Sequence, residues 1–345
     1  MPGSDPNDLS LLGAAPSFAA VLDHVSRAAP LDRPVLVIGE RGTGKELIAA
    51  RLHYLSKRWD RPLVKLNCAA LAESLLETEL FGHEAGSFTG ATRRHLGRFE
   101  MANEGTLFLD ELATASLRIQ EKILRVIEYG EFERVGGRET IRTNVRIIAA
   151  TNLDLPSEAA AGRFREDLLD RLAFDVITLP PLRARSDDIL PLAEHFATKM
   201  SQELKRDLFA GFTASARQKL LAHTWPGNVR ELRNVIERAV YRHEDLDEAI
   251  DEIQFNPFES PWRPQSKAAT APSGASAAAP AASQVPSLPM DFRQAIEDTE
   301  VAWLQAAMQH AKFNQRKAAE SLSLTYHQLR GYLRKYRLVG GDDED

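Results

Sequence analysis

A single cysteine, Cys68, stands in a chain of 345 residues. An internal disulfide is excluded, and the composition fits a reducing compartment. No apolar run approaches the roughly 18 residues that a membrane-spanning helix needs. No charged-then-apolar leader opens the N-terminus. The expectation is a cytoplasmic protein with no direct membrane insertion. A basic surplus is missing too. The net charge is −6, which argues against a uniformly basic nucleic-acid binder, although an average hides local patches. Against these absences stand an ordinary hydrophobic content of 43%, enough for a full core, and a length that suggests two or three domains.

The stretch Val35–Glu46 reads VLVIGERGTGKE. A short apolar run ends in a glycine-rich loop that closes on a lysine. Gly39, Gly42 and Gly44 let the backbone turn its N–H groups around a phosphate. Lys45 adds a positive charge, and the next helix adds its N-terminal dipole. This is the P-loop pattern, with Glu40, Arg41 and Thr43 completing the loop. The last position is Glu46 rather than Ser or Thr, so the usual hydroxyl for magnesium is missing. A plain Gly-rich turn is the alternative, which the flanking strand and LIAARLHYL disfavour.

A second half-site is needed, and GTLFLDE supplies it at 105–111. An acid at the end of a central strand holds Mg2+ through water, the role expected of Asp110. Its neighbour Glu111 orients or deprotonates the attacking water. Asn67 and Asn152 each follow a predicted strand, on the sheet edge where a P-loop lies. Asn152 suits a γ-phosphate sensor and Asn67 a restraint on Glu111, but both equally suit ordinary turns. Arg165 and Arg171 lie six apart on one predicted helix. They suit charge stabilisation in a neighbour's site or, as well, a solvated basic face. Arg230, after WPGNV, carries the same ambiguity.

Strands are expected at Val35–Ile38, Leu63–Leu66, Gly105–Glu111, Val145–Ala150 and Phe174–Leu179. Helices alternate with them at Ser17–Ala29, Lys45–Leu55, Ser74–Phe81, Ile119–Tyr129 and Gly162–Leu172. A hairpin is read at Glu131–Arg142. Such alternation predicts an α/β fold, a parallel sheet flanked by helices. Helices alone follow, at Ile189–Leu204, Ala214–Ala222 and Val229–Tyr241, with Asn228 read as a helix cap. The expected divisions are a tail at 1–10, an α/β subdomain at 11–182 and a small all-α subdomain at 183–256. An Ala/Pro/Ser-rich linker at 257–290, a helical module at 291–338 and an acidic end at 339–345 complete the chain.

The module at 291–338 holds the basic patch that the average conceals. From Lys312 to Leu338, seven Lys/Arg face one acid, Glu320. Two helical segments, NQRKAAESL and TYHQLRGYLRK, meet at Ser323-Leu324. That spacing suits a helix-turn-helix with its second helix in the major groove. Thr325 would cap that helix, and Tyr326, His327, Gln328, Arg330 and Arg334 would face bases or phosphates. A dimerising helical hairpin is the alternative. If the turn needs φ > 0, Ser323 costs it about 1 kcal/mol relative to glycine.

GERGTGKE, ELFGHEAGSFTGA, GTLFLDE, FREDLLDRL, WPGNVREL and the C-terminal helix-turn-helix together resemble one family. It is the bacterial enhancer-binding proteins, AAA+ activators of sigma-54 RNA polymerase, and within it the phage shock operon branch. The resemblance implies an AAA+ P-loop NTPase with an all-α lid and a Fis-like helix-turn-helix. It implies ATP and Mg2+ as cofactors and a homo-oligomer, a hexamer. Partners would be sigma-54 RNA polymerase holoenzyme and enhancer double-stranded DNA. Lys45 would bind phosphates, Asp110 and Glu111 form the Walker B pair, and Asn67 restrain Glu111. Thr151 and Asn152 match the first sensor, Arg230 the second, and Arg165 and Arg171 the arginine fingers. Glu46 is common in this family. Gly86, Ser87, Phe88, Thr89, Gly90 and Ala91 would contact sigma-54, with Ser87 where alanine is usual. Regulation is expected in trans by a PspA-type negative regulator docking at Trp59. Two rivals stay open: a DNA-binding repressor that uses ATP only for assembly, and a generic AAA+ remodelling machine.

Overall fold

The computed structural model describes residues 12–88, 91–206, 209–245, 248–258, 262, 292–311 and 314–336. The sequence readings for the N-terminal tail, Thr89, Gly90, nearly all of the linker and the acidic end lie outside them. The chain divides into two compact units, Met1–Arg263 and Pro264–Asp345, and each is described by itself.

The first unit opens with helix α1 (Pro16–Ala28), strand β1 (Val35–Ile38), α2 (Lys45–Tyr54), β2 (Leu63–Asn67) and α3 (Glu73–Phe81). Next come α4 (Arg98–Met101), β3 (Thr106–Asp110), α5 (Leu117–Tyr129), β4 (Glu131–Glu133) and β5 (Thr140–Arg142). Then β6 (Arg146–Thr151), α6 (Leu155–Ala160), α7 (Glu166–Leu172) and β7 (Val176–Thr178) complete the α/β part. Five strands form one parallel sheet in the order β2-β3-β6-β1-β7. β4 and β5 pair separately as the expected hairpin, antiparallel from Glu131↔Arg142 to Glu133↔Thr140.

The central strands are apolar throughout because both sheet faces are covered. Alternate side chains go to opposite cores. Leu107, Leu109, Ile147, Ala149 and Leu36 join α3, α5 and α7 on one face. Phe108, Ile148, Ala150, Val35 and Val37 join α1 and α2 on the other. Each fully buried Leu, Ile or Phe contributes roughly 1.5–3 kcal/mol. α5 shows the local logic. It buries Ile119, Ile123, Leu124 and Val126, a helical stripe, and stops where Gly130 turns left-handed at φ 68°.

Parallel pairing puts the C-terminal ends of all five strands on one edge. In register, Asn67 faces Asp110 and Ile38 faces Thr151. The P-loop leaves β1 at that edge.

Three helices follow: α8 (Ile189–Glu203), α9 (Ala214–Ala222) and α10 (Asn228–Arg242). They pack around Trp225, fully buried with Leu192, Ala216, Leu220, Leu232 and Ile236. The second unit contains α11 (Phe292–His310), α12 (Gln315–Ser321) and α13 (Tyr326–Lys335), closed over Leu304, Ala307, Ala318, Ala319, Leu329 and Leu333.

Three sequence readings need correction. The helix expected from Gly162 begins at Glu166, so Arg165 is its cap in extended backbone and not a helical residue. Gln120 holds it there, accepting the Arg165 N–H at 2.9 Å. A separate helix, α6, precedes it and was not expected. Asn228 does not cap α10. Gly227 occupies that position, and its N–H is taken by the Glu231 carboxylate at 2.7 Å. The Asn228 side chain is turned toward the P-loop instead.

Candidate functional site

The phosphate loop is built as its sequence implies. Gly42 and Gly44 have φ of 78° and 101°, backbone that favours glycine. Lys45, nearly buried, donates from Nζ to the carbonyls of Gly39 and Glu40 at 2.9 and 3.2 Å. Burial lowers its pKa, and Asp110 and Glu111 oppose that. Thr43 Oγ1 donates to the Glu40 carbonyl at 2.8 Å. Glu46 turns outward to Lys65 on β2, at 3.0 Å.

Asp110 ends β3. Burial raises its carboxyl pKa first, and Glu111 raises it further, while Lys45 lowers it. Its Oδ1 accepts the Glu111 N–H at 3.0 Å. Glu111 sits in left-handed backbone, φ 53° and ψ 37°, an unusual place for a residue with a long side chain. Its carboxylate lies 3.9 Å from Arg41.

Asn67 donates from Nδ2 to Asp110 at 3.4 Å, and its oxygen accepts the Ala69 N–H at 2.9 Å. The expected partner was Glu111, and the amide meets Asp110 instead. Register explains this, because Asn67 and Asp110 are paired positions on adjacent strands. Thr151 is fully buried at the end of β6. Its carbonyl accepts the Gly39 N–H at 3.2 Å, and its hydroxyl accepts the Leu153 N–H at 3.0 Å. Asn152 follows it, half-buried at the same edge.

α10 reaches over the loop. The Arg230 N–H points to the Gly42 carbonyl at 3.4 Å. One cavity of about 350 Å³ is lined by the loop from Arg41 to Glu46, Asp110, Glu111 and Arg230. Phe18, Arg185, His195 and Phe196 extend its wall. A larger cavity of about 520 Å³ is lined by Arg33, Arg58, Arg146 and Phe174. Of the candidate nucleotide residues it holds Arg171 alone. The smaller cavity is the candidate site because the phosphate loop and the paired acids meet there.

Arg165 and Arg171 are both paired within the chain. Arg165 forms a fork on Asp167 at 3.0 and 2.6 Å, and Arg171 donates to Glu128 at 2.8 Å. Both remain partly exposed.

The glycine-flanked segment rests on the hairpin. Glu84 N–H donates to the Val135 carbonyl at 3.1 Å, and Val135 N–H to Gly82 at 3.0 Å. Gly136 approaches Ser87 so closely that a Cβ there would lie 2.5 Å from the serine Cβ. Gly86 has φ 80°, Phe88 is exposed, and Ala91 is buried. Arg134 ties the assembly together. It is buried and binds Glu84 at 2.8 Å and both oxygens of Glu100, one at 3.0 Å. These carboxylates hold its pKa above the ordinary value. Sequence reasoning missed this hub, since neither Arg134 nor Glu100 carries a motif and nothing in the string around Glu84 marks it as an ion-pair partner. Trp59 stands 63% exposed.

In the C-terminal unit, Thr325 caps α13 and shares a capping box with Gln328. Thr325, Tyr326, His327, Gln328, Arg330 and Arg334 are all exposed, while Leu329 and Leu333 face the core. Ser323 has φ 55°, the strained turn anticipated from its sequence. The Gln328 side chain is engaged by the cap, at 2.9 Å from Thr325 N and Oγ1.

Comparison with known proteins matches three family models along the chain. A sigma-54 interaction domain matches residues 11–178, an AAA+ ATPase lid domain 183–271, and a Fis-family bacterial regulatory protein model 295–336. The chain is 57% identical over 329 residues to the Psp operon transcriptional activator of Escherichia coli K12, covering 95% of this chain and 98% of that protein. It is 54% identical over 235 residues to the Nif-specific regulatory protein of Azotobacter vinelandii, covering 68% of this chain and 45% of that one. Among solved structures, NtrX from Brucella abortus in complex with ATP matches with a TM-score of 0.66 and 31% identity, over 95% of this chain and 69% of that one. This chain belongs to the sigma-54-dependent transcriptional activators, AAA+ ATPases that carry a Fis-type helix-turn-helix.

Proposed function

We propose that this activator assembles as a cytoplasmic hexamer on enhancer DNA and drives a phage-shock-type operon. ATP hydrolysis at the 350 Å³ cavity would remodel the closed sigma-54 polymerase–promoter complex. The observation that carries the reading is the meeting of P-loop, paired acids and α10 around that cavity, in a chain that also exposes Phe88 next to the Gly86 turn. Its 57% identity to the Psp operon activator supports the target operon.

The roles follow from position. Lys45 gives up its loop carbonyls to meet the phosphates. Glu111 takes or orients the water proton, held by its backbone beside Asp110. Asn67, hydrogen-bonded to Asp110, senses the occupancy of that carboxylate. Thr151 and Asn152 read the phosphate from β6, and Arg230 reads it from the lid. Arg165 and Arg171 exchange their own acids for a neighbour's nucleotide. Mg2+ fits the donor set, since hard carboxylate oxygens suit it. Among the described residues no cluster of three or more acidic, His or Cys side chains forms a metal cage, as expected of an ion that phosphates help to hold. Asp110 would hold it through water, and it would neutralise phosphate charge.

Gly86–Ala91 would grip sigma-54, with Phe88 as its exposed apolar tip and Arg134 as its anchor. Exposed Trp59 is the proposed dock for a PspA-type inhibitor, and loss of inhibition in Trp59→Ala tests it. For the central claim, open-complex formation is measured on a sigma-54 promoter with purified protein and ATP. Thr89→Ala should keep hydrolysis and lose open complexes. Equal open-complex yield from both proteins would refute the reading.

A further inference from the structure

Glu40 is the second residue of the phosphate loop, yet its side chain is turned away from the phosphate cradle. The Arg183 guanidinium grips it with two parallel bonds, 2.8 Å to Oε2 and 2.5 Å to Oε1. Asn228 Nδ2 donates to the same Oε2 at 3.1 Å. Arg183 lies in the first turn of the lid, Leu182–Ala184. Asn228 opens α10. Both partners are therefore lid residues, 143 and 188 positions away in sequence.

Asn228 is built for this contact. It is fully buried and left-handed, φ 52°, a conformation that Asn tolerates better than most residues. Nδ2 also donates to the Arg41 carbonyl at 3.0 Å, and Oδ1 accepts the Leu182 N–H at 2.7 Å. One side chain thus joins the loop, the lid's first turn and the start of α10. Beside it the two backbones touch: a Cβ on Gly42 would lie 2.2 Å from the Gly227 carbonyl. Arg230 is two residues further along the same helix.

We propose that Glu40, Arg183 and Asn228 form a latch between phosphate loop and lid, and that Glu40 and Arg183 are positioning residues that set Arg230 over the bound nucleotide. The proposal deepens the ATPase reading and rests on it. Arg183 holds the Glu40 carboxyl down at about pKa 2, so the latch stays ionised at any physiological pH. A charge-assisted fork fixes distance and angle together. Without it the lid keeps its core around Trp225 and loses its registration on the loop. Such a loss weakens ground state and transition state alike, so it raises KM while sparing kcat.

The test uses the full chain with Glu40→Gln, Arg183→Met, the double variant and Arg183→Lys. Hydrogen exchange over 39–45 and 225–232 without nucleotide reads the latch itself. Calorimetric titration with ADP reads the site. Each single variant is expected to exchange faster in both segments, to bind ADP about tenfold more weakly, and to raise KM for ATP by a similar factor. The expected kcat stays within about twofold. The double variant should be no worse than the weaker single, because one interaction is lost once. Arg183→Lys should recover part of the affinity. Wild-type ADP affinity in both singles overturns the latch, and so does a double variant that loses the product of the two effects. Faster exchange with unchanged affinity overturns its role in the site. A wild-type chain that binds no ADP overturns the ATPase reading, and the latch falls with it.

Discussion

Glu111→Gly should stabilise the protein while stopping its chemistry. Three terms set the size of the effect. Glu111 lies at φ 53° and ψ 37°, where an L side chain costs roughly 1–2 kcal/mol that glycine does not incur. Its charge adds to the burial that raises the Asp110 pKa, so removing it relieves repulsion. Against these stands the loss of cationic partners: the Arg41 pair, 3.9 Å long with Arg41 74% exposed and worth below about 0.5 kcal/mol, and the support that Glu111 gives the Lys45 charge. The net is a gain of about 1 kcal/mol, or about 2–4 °C in Tm for a domain of this size. The sign can be checked by pH. A carboxyl whose folded pKa is raised costs stability once pH rises past its ordinary value of 3.8. The part of the gain that comes through Asp110 is therefore absent in strong acid and present at neutral pH. Glu111→Ala separates the terms, since it relieves repulsion but keeps the left-handed backbone. Scanning calorimetry should rank Gly above Ala, and Ala at or above wild type. ATP turnover should fall by about 10²–10⁴ in both, the contribution of a general base. A glycine variant less stable than the alanine variant would show that the backbone is not strained and would refute the reasoning.

Trp225→Ala should destabilise the first unit by about 3–5 kcal/mol, because the indole is fully buried and donates to the Leu220 carbonyl at 2.9 Å; urea unfolding measures it, and a loss under 1 kcal/mol would contradict the packing. Ser87 Oγ is buried with no hydrogen-bond partner among the described residues, so Ser87→Ala should slow hydrogen exchange at 82–88 by a few-fold, reflecting about 1 kcal/mol of relief; faster exchange would show that the hydroxyl is satisfied. Glu40 has a folded pKa of about 2 against an ordinary 4.5, and a depressed carboxyl pKa gives stability above its ordinary value that is lost as pH falls through the folded one. The Tm gap between wild type and Arg183→Met should then be flat from pH 6 to 8, small because Arg183 is half exposed, and should close between about pH 4.5 and pH 2.

What could be read from the sequence was local or periodic. The buried strands VLVI, TLFLD and RIIAAT are apolar runs of the right length, and the phosphate loop and paired acids sit at their ends. α5 and α13 announce themselves by stripe and cap, down to the strained turn at Ser323. Readings failed where a distant side chain decides a backbone group's partner. Gln120, 45 residues away, fixes Arg165 outside its helix. Gly227, its N–H accepted by the Glu231 carboxylate, takes the cap position read for Asn228, and the Asn228 amide bonds the loop instead. Asn67 meets Asp110 because the strand register puts them side by side, and no spacing in a single chain encodes that register.

The same division bears on how the proposed sigma-54 loop is anchored. Arg134 has no motif and no periodic position, yet it is the buried cation on which Glu84 and Glu100 converge. Removing Arg134 takes the main cation from Glu100, a carboxylate only 12% exposed, and a broken buried pair costs about 3–5 kcal/mol. Motion of α4, which carries Glu100, must move the hairpin that carries Arg134 and the segment that begins at Glu84, because none can leave the cluster alone at small cost. The nucleotide site has recognisable residues because phosphate chemistry constrains them. The ion-pair cluster requires only opposite charges held close, and any fold-compatible positions can supply those.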